Sequence, residues 1–85
     1  MAELTSLQNI GKEMARKLKI VGVESAEELR ELGAEAAYLK LKMVYPKVCL
    51  VHLYALEGAV QDREFNSLAE ERKRELKAFS DSLKN

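Results

Sequence analysis

Leu7-Gln8-Asn9-Ile10-Gly11-Lys12-Glu13-Met14-Ala15-Arg16-Lys17-Leu18, followed by Val21-Gly22-Val23, decides how this chain is read. The stretch has the form of two short helices joined by a tight turn at Asn9-Ile10-Gly11. Asn and Gly are the residue types that most readily take positive φ, so the chain can reverse there without steric cost. Leu7 and Ile10 before the turn, and Met14, Ala15 and Leu18 after it, put apolar groups on one side of both pieces. The amides that open the second helix carry partial positive charge, with Lys12, Arg16, Lys17 and Lys19 close by in sequence. An amide-lined helix start among cations is a physical arrangement for holding phosphate. Asn9, Gly11, Lys12, Glu13, Arg16, Lys17 and Lys19 are therefore the candidate DNA contacts, with Glu13 opposing the charge such a site needs. The competing reading is a turn that only packs two helices. Asn9 stands where phosphate-binding turns of the Gly-hydrophobic-Gly type have their first glycine, which permits the turn but adds a side chain.

Length and composition bound the rest. Eighty-five residues are expected to make a single domain, 1–85, with one modest core. An apolar fraction of 47% beside 33% charged residues is ordinary for a folded chain and speaks against disorder. The single cysteine excludes an internal disulfide framework and suits a reducing cytoplasm, the expected location. The first residues show no basic segment followed by an apolar one, so no secretory signal is read. The longest apolar run, Val48 to Val60, is interrupted by His52 and Glu57 and is too short to span a bilayer, so no membrane association is expected. Charge balances at 14 basic and 14 acidic residues but is unevenly placed. Residues 1–22 carry four basic against two acidic groups, and residues 23–39 one against five. A dedicated DNA-binding domain is usually basic overall, so any affinity through the hairpin should be weak and salt-sensitive.

Helical signals run the length of the chain, with no convincing strand. Thr5-x-x-Gln8, Ser25-x-x-Glu28 and Ser67-x-x-Glu70 have the form of capping boxes, and each is expected to start a helix. Gly22 and Gly33 read as helix stops, and Tyr45 before Pro46 as a further break. Lys47 to about Gln61 reads as the central helix, apolar nearly all round and wrapped by the others. Gly58 inside it is unfavourable by about 1 kcal/mol relative to alanine, which suggests a close backbone approach by a neighbour, the hairpin being a candidate.

The remaining polar groups carry little chemistry. Cys49 and His52 share a helix face, but two ligands do not close a zinc site, so no metal or other cofactor is expected. A core cysteine beside a hydrogen-bonded histidine is the favoured reading over a nucleophilic pair. Glu57, a carboxylate on an apolar helix, must find partners. It is read, with His52, as a structural polar group rather than an acid or base.

The run Leu7-x-Asn9-Ile10-Gly11, Gly22-Val23, Glu28-Leu29, Leu32-Gly33-Ala34, Ala37-Tyr38 and Leu53-Tyr54-Ala55-Leu56-Glu57-Gly58-Ala59 closely resembles the C-terminal domain of the TfoX family of bacterial competence regulators. The resemblance spans roughly residues 7–76, and the Leu53–Ala59 string is its most specific part. It implies an all-helical fold related to helix-hairpin-helix domains, here five to six short helices around the buried helix near residues 47–61. It also implies a link to transcriptional control rather than catalysis. Lys12-Glu13 departs from the family's tendency toward Pro-Lys, which moves the positive charge. Phe65-Asn66 stands where Trp and an acidic residue are usual.

Two function classes follow. The first is a non-enzymatic module that contacts a protein partner of a regulatory system, through an exposed apolar patch or the acidic stretch Glu24–Glu35. The second is weak, sequence-independent binding to the DNA backbone through the hairpin. A second copy of the chain is a further candidate partner. An enzyme is disfavoured, because no nucleophile and base converge in the sequence.

Overall fold

The computed structural model describes residues 2–83, and the outermost positions of the expected 1–85 unit, 1 and 84–85, lie outside the described residues. Five α-helices follow in order: α1 (Lys12–Ile20), α2 (Ala26–Leu32), α3 (Ala34–Val44), α4 (Leu50–Gln61) and α5 (Glu70–Ser82). Short 3₁₀ turns at Leu4–Ser6 and Phe65–Ser67 precede the first and last of them. Among the described residues there is no strand. The all-helical class expected from the periodicity is thus the one observed.

The helix ends show which local signals prevail. α1 stops because Gly22, at φ 95°, lets Val23 N–H reach the Leu18 carbonyl at 2.8 Å and Gly22 N–H the Lys19 carbonyl at 3.1 Å. That pairing satisfies two terminal carbonyls and turns Val23 into the core. α2 starts as the sequence predicts, with the Ser25 hydroxyl accepting from Glu28 N–H at 3.2 Å. The Glu28 carboxylate reaches back one residue further than expected, to Glu24 N–H at 2.9 Å.

The other two capping boxes do not cap. The segment from Thr5 is a 3₁₀ turn rather than a helix, and Ser6 Oγ donates to the Glu3 carbonyl instead. Leu4, Leu7 and Ile10 must all enter the core within seven residues, which leaves no length over which a helix nucleus repays its entropy. Ser67 likewise closes a 3₁₀ turn by donating to Glu64, and α5 starts at Glu70 after Ala69, with no side-chain cap. The central helix also begins later than its hydrophobicity suggests, at Leu50 rather than Lys47. Residues 45–49 are needed to reverse direction after α3. That loop is fastened by Lys42 Nζ, which donates to the carbonyls of Pro46 at 3.0 Å and Val48 at 2.8 Å.

α4 is the spine, packed chiefly against α3 and α5, with α2 at its side. Leu53, Leu56 and Ala59 are fully buried, facing Leu18, Leu29, Tyr38, Leu41 and Leu76 in one continuous core. Its apolar character does not mean burial on every side, however: Val51 is 58% exposed. α5 is fixed to α3 by Tyr38, whose ring lies 6.5 Å from that of Phe79 and whose hydroxyl meets Ser80 Oγ at 3.1 Å.

Candidate functional site

The hairpin turn is built around Asn9, the residue at φ 69° where the chain reverses. Its side chain points inward. Nδ2 donates to the Arg63 carbonyl at 3.0 Å and the Ala55 carbonyl at 3.5 Å, while Oδ1 accepts from Phe65 N–H at 3.3 Å. One asparagine therefore ties the turn to the last turns of α4 and to the segment that leaves it. Gly58 makes the approach feasible: a Cβ there would lie 2.4 Å from Asn9 Nδ2 and 2.7 Å from the Arg63 carbonyl oxygen. Ile10 is buried beneath the turn, and Gly11 opens α1 without any side-chain cap.

The cations around this turn do not converge on one point. Arg16 is paired with Glu13 at 3.0 Å, both exposed, and this contact holds the Glu13 carboxyl below the usual range. Lys19 lies 3.9 Å from Glu3 on another side. Lys17 turns toward the α3–α4 loop, its Nζ 5.3 Å from the Tyr45 ring centroid. Lys12 remains exposed beside the helix start. Of the seven candidate contacts, Gly11, Lys12 and Glu13 stay together at the start of α1, with Arg16 paired to Glu13 and Lys17 bordering the groove that Gly11 and Glu13 line, whereas Asn9 is engaged in packing and Lys19 faces elsewhere.

Cys49 and His52 form a different unit from the expected core pair. Cys49 is exposed and is the N-cap of α4, and its amide donates to His52 Nδ1 at 3.0 Å. Sγ lies 3.5 Å from the same nitrogen. The pair is thus a capping box in which histidine plays the part usually taken by Glu or Gln. Burial and the Lys17 charge both hold the His52 imidazole below its usual pKa of 6.5. A histidine with a lowered folded pKa stabilises the fold above its unfolded pKa and loses that contribution as pH falls through the folded value. The parent is accordingly expected to lose stability as pH falls below the unfolded value of about 6.5, as protonated Nδ1 stops accepting. His52→Gln keeps an acceptor at this position and should flatten that limb. Urea midpoints of both proteins above and below that pH check it.

Glu57 is buried on α4 and accepts two hydrogen bonds from Arg72 of α5, from Nε at 3.1 Å and Nη2 at 3.0 Å. Gln61 donates to the same carboxylate, one turn on. Arg72 also meets Glu75 at 3.0 Å and Glu35 at 3.5 Å, so one guanidinium joins α3, α4 and α5. Burial pushes the Glu57 carboxyl up, but the hydrogen bonds from Arg72 and Gln61, with the Arg72 charge, outweigh it and leave the pKa below its usual value. The Arg72 guanidinium is in turn held more firmly protonated, first by Glu57. With its acceptors so occupied, this carboxylate serves helix packing.

One surface feature escaped the sequence reading. Lys17, Val44, Tyr45, Pro46, Lys47, Val48 and His52 line a groove of about 460 Å³ between α1, the α3–α4 loop and the start of α4. A second, of about 260 Å³, shares Lys17 and His52 and continues past Met14 and Val51 to the hairpin turn. Val44 is 52% exposed beside it, and Met43, on the neighbouring turn of α3, is 85% exposed. Among the described residues no three His, Cys, Asp or Glu side chains gather to hold a metal ion. Nor is any described helix long and apolar enough to cross a membrane.

Comparison with known proteins places this architecture. A crystal structure of an uncharacterized protein from Listeria monocytogenes, in a triclinic form, is 40% identical and superposes with a TM-score of 0.97, covering 99% of this chain and 96% of that one. A tetragonal form of a protein of unknown function from Listeria monocytogenes is also 40% identical, with a TM-score of 0.94 over 96% of this chain and 100% of that one. No curated protein matches. The family model described as the TfoX C-terminal domain matches residues 1–80, and the chain belongs to that family.

Proposed function

We propose that this domain is a non-enzymatic regulatory module that acts in transcriptional or competence control by contacting a protein. The observation that carries this reading is the exposed apolar surface around the α3–α4 loop, where Val44, Tyr45, Pro46 and Val48 line one groove, the exposed Met43 borders another and the exposed Val51 the adjoining one toward the hairpin. Such a surface is costly to leave in water and is typical of contact sites. The polar groups with catalytic potential, the Cys49–His52 pair and Glu57, are engaged in a helix cap and an ion pair. Affinity capture from the native lysate, with and without nuclease, tests the reading. A specific protein retained after nuclease and through moderate salt is expected, because apolar association is not weakened by salt as phosphate binding is. Loss of every captured protein on nuclease treatment contradicts it.

The uncapped start of α1 supports a second reading, weak contact with the DNA backbone through the amides of Gly11, Lys12 and Glu13. Glu13 and its partner Arg16 neutralise each other there. On this reading Glu13→Lys tightens binding to a labelled duplex at low salt, and Lys12→Glu with Lys17→Glu abolishes it without unfolding the domain. A duplex that responds to neither change removes this alternative.

A further inference from the structure

We propose that the groove between α1 and the α3–α4 loop is a docking site for a partner peptide carrying an apolar side chain flanked by carboxylates. This rests on the protein-contact reading and narrows it to one face and one chemistry. The floor of the groove is made by Val44, the Tyr45 ring, Pro46 and Val48, and the fully charged side chains at its edge, Lys17 and Lys47, are both cationic. In the adjoining groove the one acidic neighbour, Glu13, is held by Arg16. An apolar floor with a cationic rim complements an apolar anchor with acidic neighbours, the floor supplying affinity and the rim orientation.

The other occupants fit less well. A nucleic acid would find two lysines, but the apolar floor of Val44, Pro46 and Val48 offers phosphate and sugar nothing to bond. A second copy could bring the acidic face of α2, with Glu27, Glu28 and Glu31. Its Leu29, however, is fully buried and Leu32 is half-buried, so that face has no free anchor to insert.

The test uses the ¹⁵N-labelled domain and three short synthetic peptides: Phe-Leu flanked by glutamates, the same anchors flanked by lysines, and the glutamate peptide with serines for Phe-Leu. The first should shift the amides of Lys17, Tyr45, Lys47, Val48 and His52. Each control peptide should bind at least about tenfold more weakly, and Lys47→Glu or Val44→Asp should weaken the first peptide by about tenfold. Both substituted positions are exposed, and unchanged circular dichroism establishes that the variants fold. Equal binding of the lysine peptide, or shifts confined to other faces, overturns the assignment. Concentration-dependent shifts of the same amides without peptide overturn it in favour of a dimer, and duplex DNA giving the same footprint overturns it in favour of nucleic acid. If the peptides fail while nuclease-treated capture still retains a protein, only the groove assignment falls. If capture fails while the groove binds its peptide, the regulatory reading falls and the groove stands.

Discussion

Gly58→Ala is expected to destabilise the domain by about 2–4 kcal/mol, although the same change in an unobstructed helix interior is stabilising by about 1 kcal/mol. The added methyl would sit 2.7 Å from the Arg63 carbonyl oxygen, a backbone atom, and 2.4 Å from Asn9 Nδ2. Asn9 cannot swing away cheaply, because its amide group makes three hydrogen bonds that hold the hairpin turn on α4. Displacing it gives up these hydrogen bonds between the turn and α4, which adds to the steric cost. Asn9→Gly keeps the positive φ while removing the side chain, so the double variant should recover part of the loss. The residue that remains reflects Arg63. Urea unfolding of the four proteins gives the coupling directly. A Gly58→Ala variant as stable as the parent contradicts the interlock.

Arg72→Met should cost a comparable amount, about 2–4 kcal/mol near neutral pH. The loss comes from leaving Glu57 ionised and buried without its partner. Glu57→Gln should be milder than Glu57→Leu, since the one amide oxygen still accepts from Arg72 although the other contact is lost. Glu57→Leu, which strands the guanidinium and Gln61, should cost about 1–3 kcal/mol. The sign of the pH dependence separates this account from simple loss of packing. In the parent, Glu57 has a folded pKa below the usual 4.5, so its contribution is present above that value and fades as pH falls through the folded one. Without Arg72, only the Gln61 hydrogen bond still opposes burial, so the carboxyl's pKa rises from its value in the parent and protonation relieves the variant. The stability gap between parent and Arg72→Met should therefore narrow on acidification. A gap independent of pH would show that Arg72 acts only through its aliphatic stem.

The fold was legible where a signal depends on a few neighbouring residues. Gly22 and Ser25 end and start helices as their types dictate, because those geometries involve little beyond the local chain. Thr5 and Ser67 carry the same capping letters and failed, since residues far away in sequence required 3₁₀ turns at those positions. Gly58 could be flagged as a site of close approach from its cost alone, with the hairpin as a candidate neighbour, whereas the atoms that approach, the Asn9 side-chain amide and the Arg63 carbonyl, could not be read without the packing. The Cys49–His52 pair was misplaced for a related reason. Hydrophobicity extended α4 back to Lys47, which put Cys49 in the core, whereas the reversal after Pro46 exposes it at the helix start. The groove was invisible in sequence because Val44, Val48 and Val51 look alike there, and only the fold separates the buried Val48 from its two exposed neighbours.

The central claim is that Asn9-Ile10-Gly11 serves to fasten the hairpin turn to α4 and the segment that leaves it, leaving partner contact to the apolar surface beside the α3–α4 loop. Titration of a labelled DNA duplex into the parent, followed by amide shifts at low salt and at about 0.15 M salt, tests it most directly. The account predicts no duplex-induced shift of the Gly11, Lys12 and Glu13 amides at either salt. Shifts centred on those three amides at low salt, fading at the higher salt as phosphate contacts do, would contradict it.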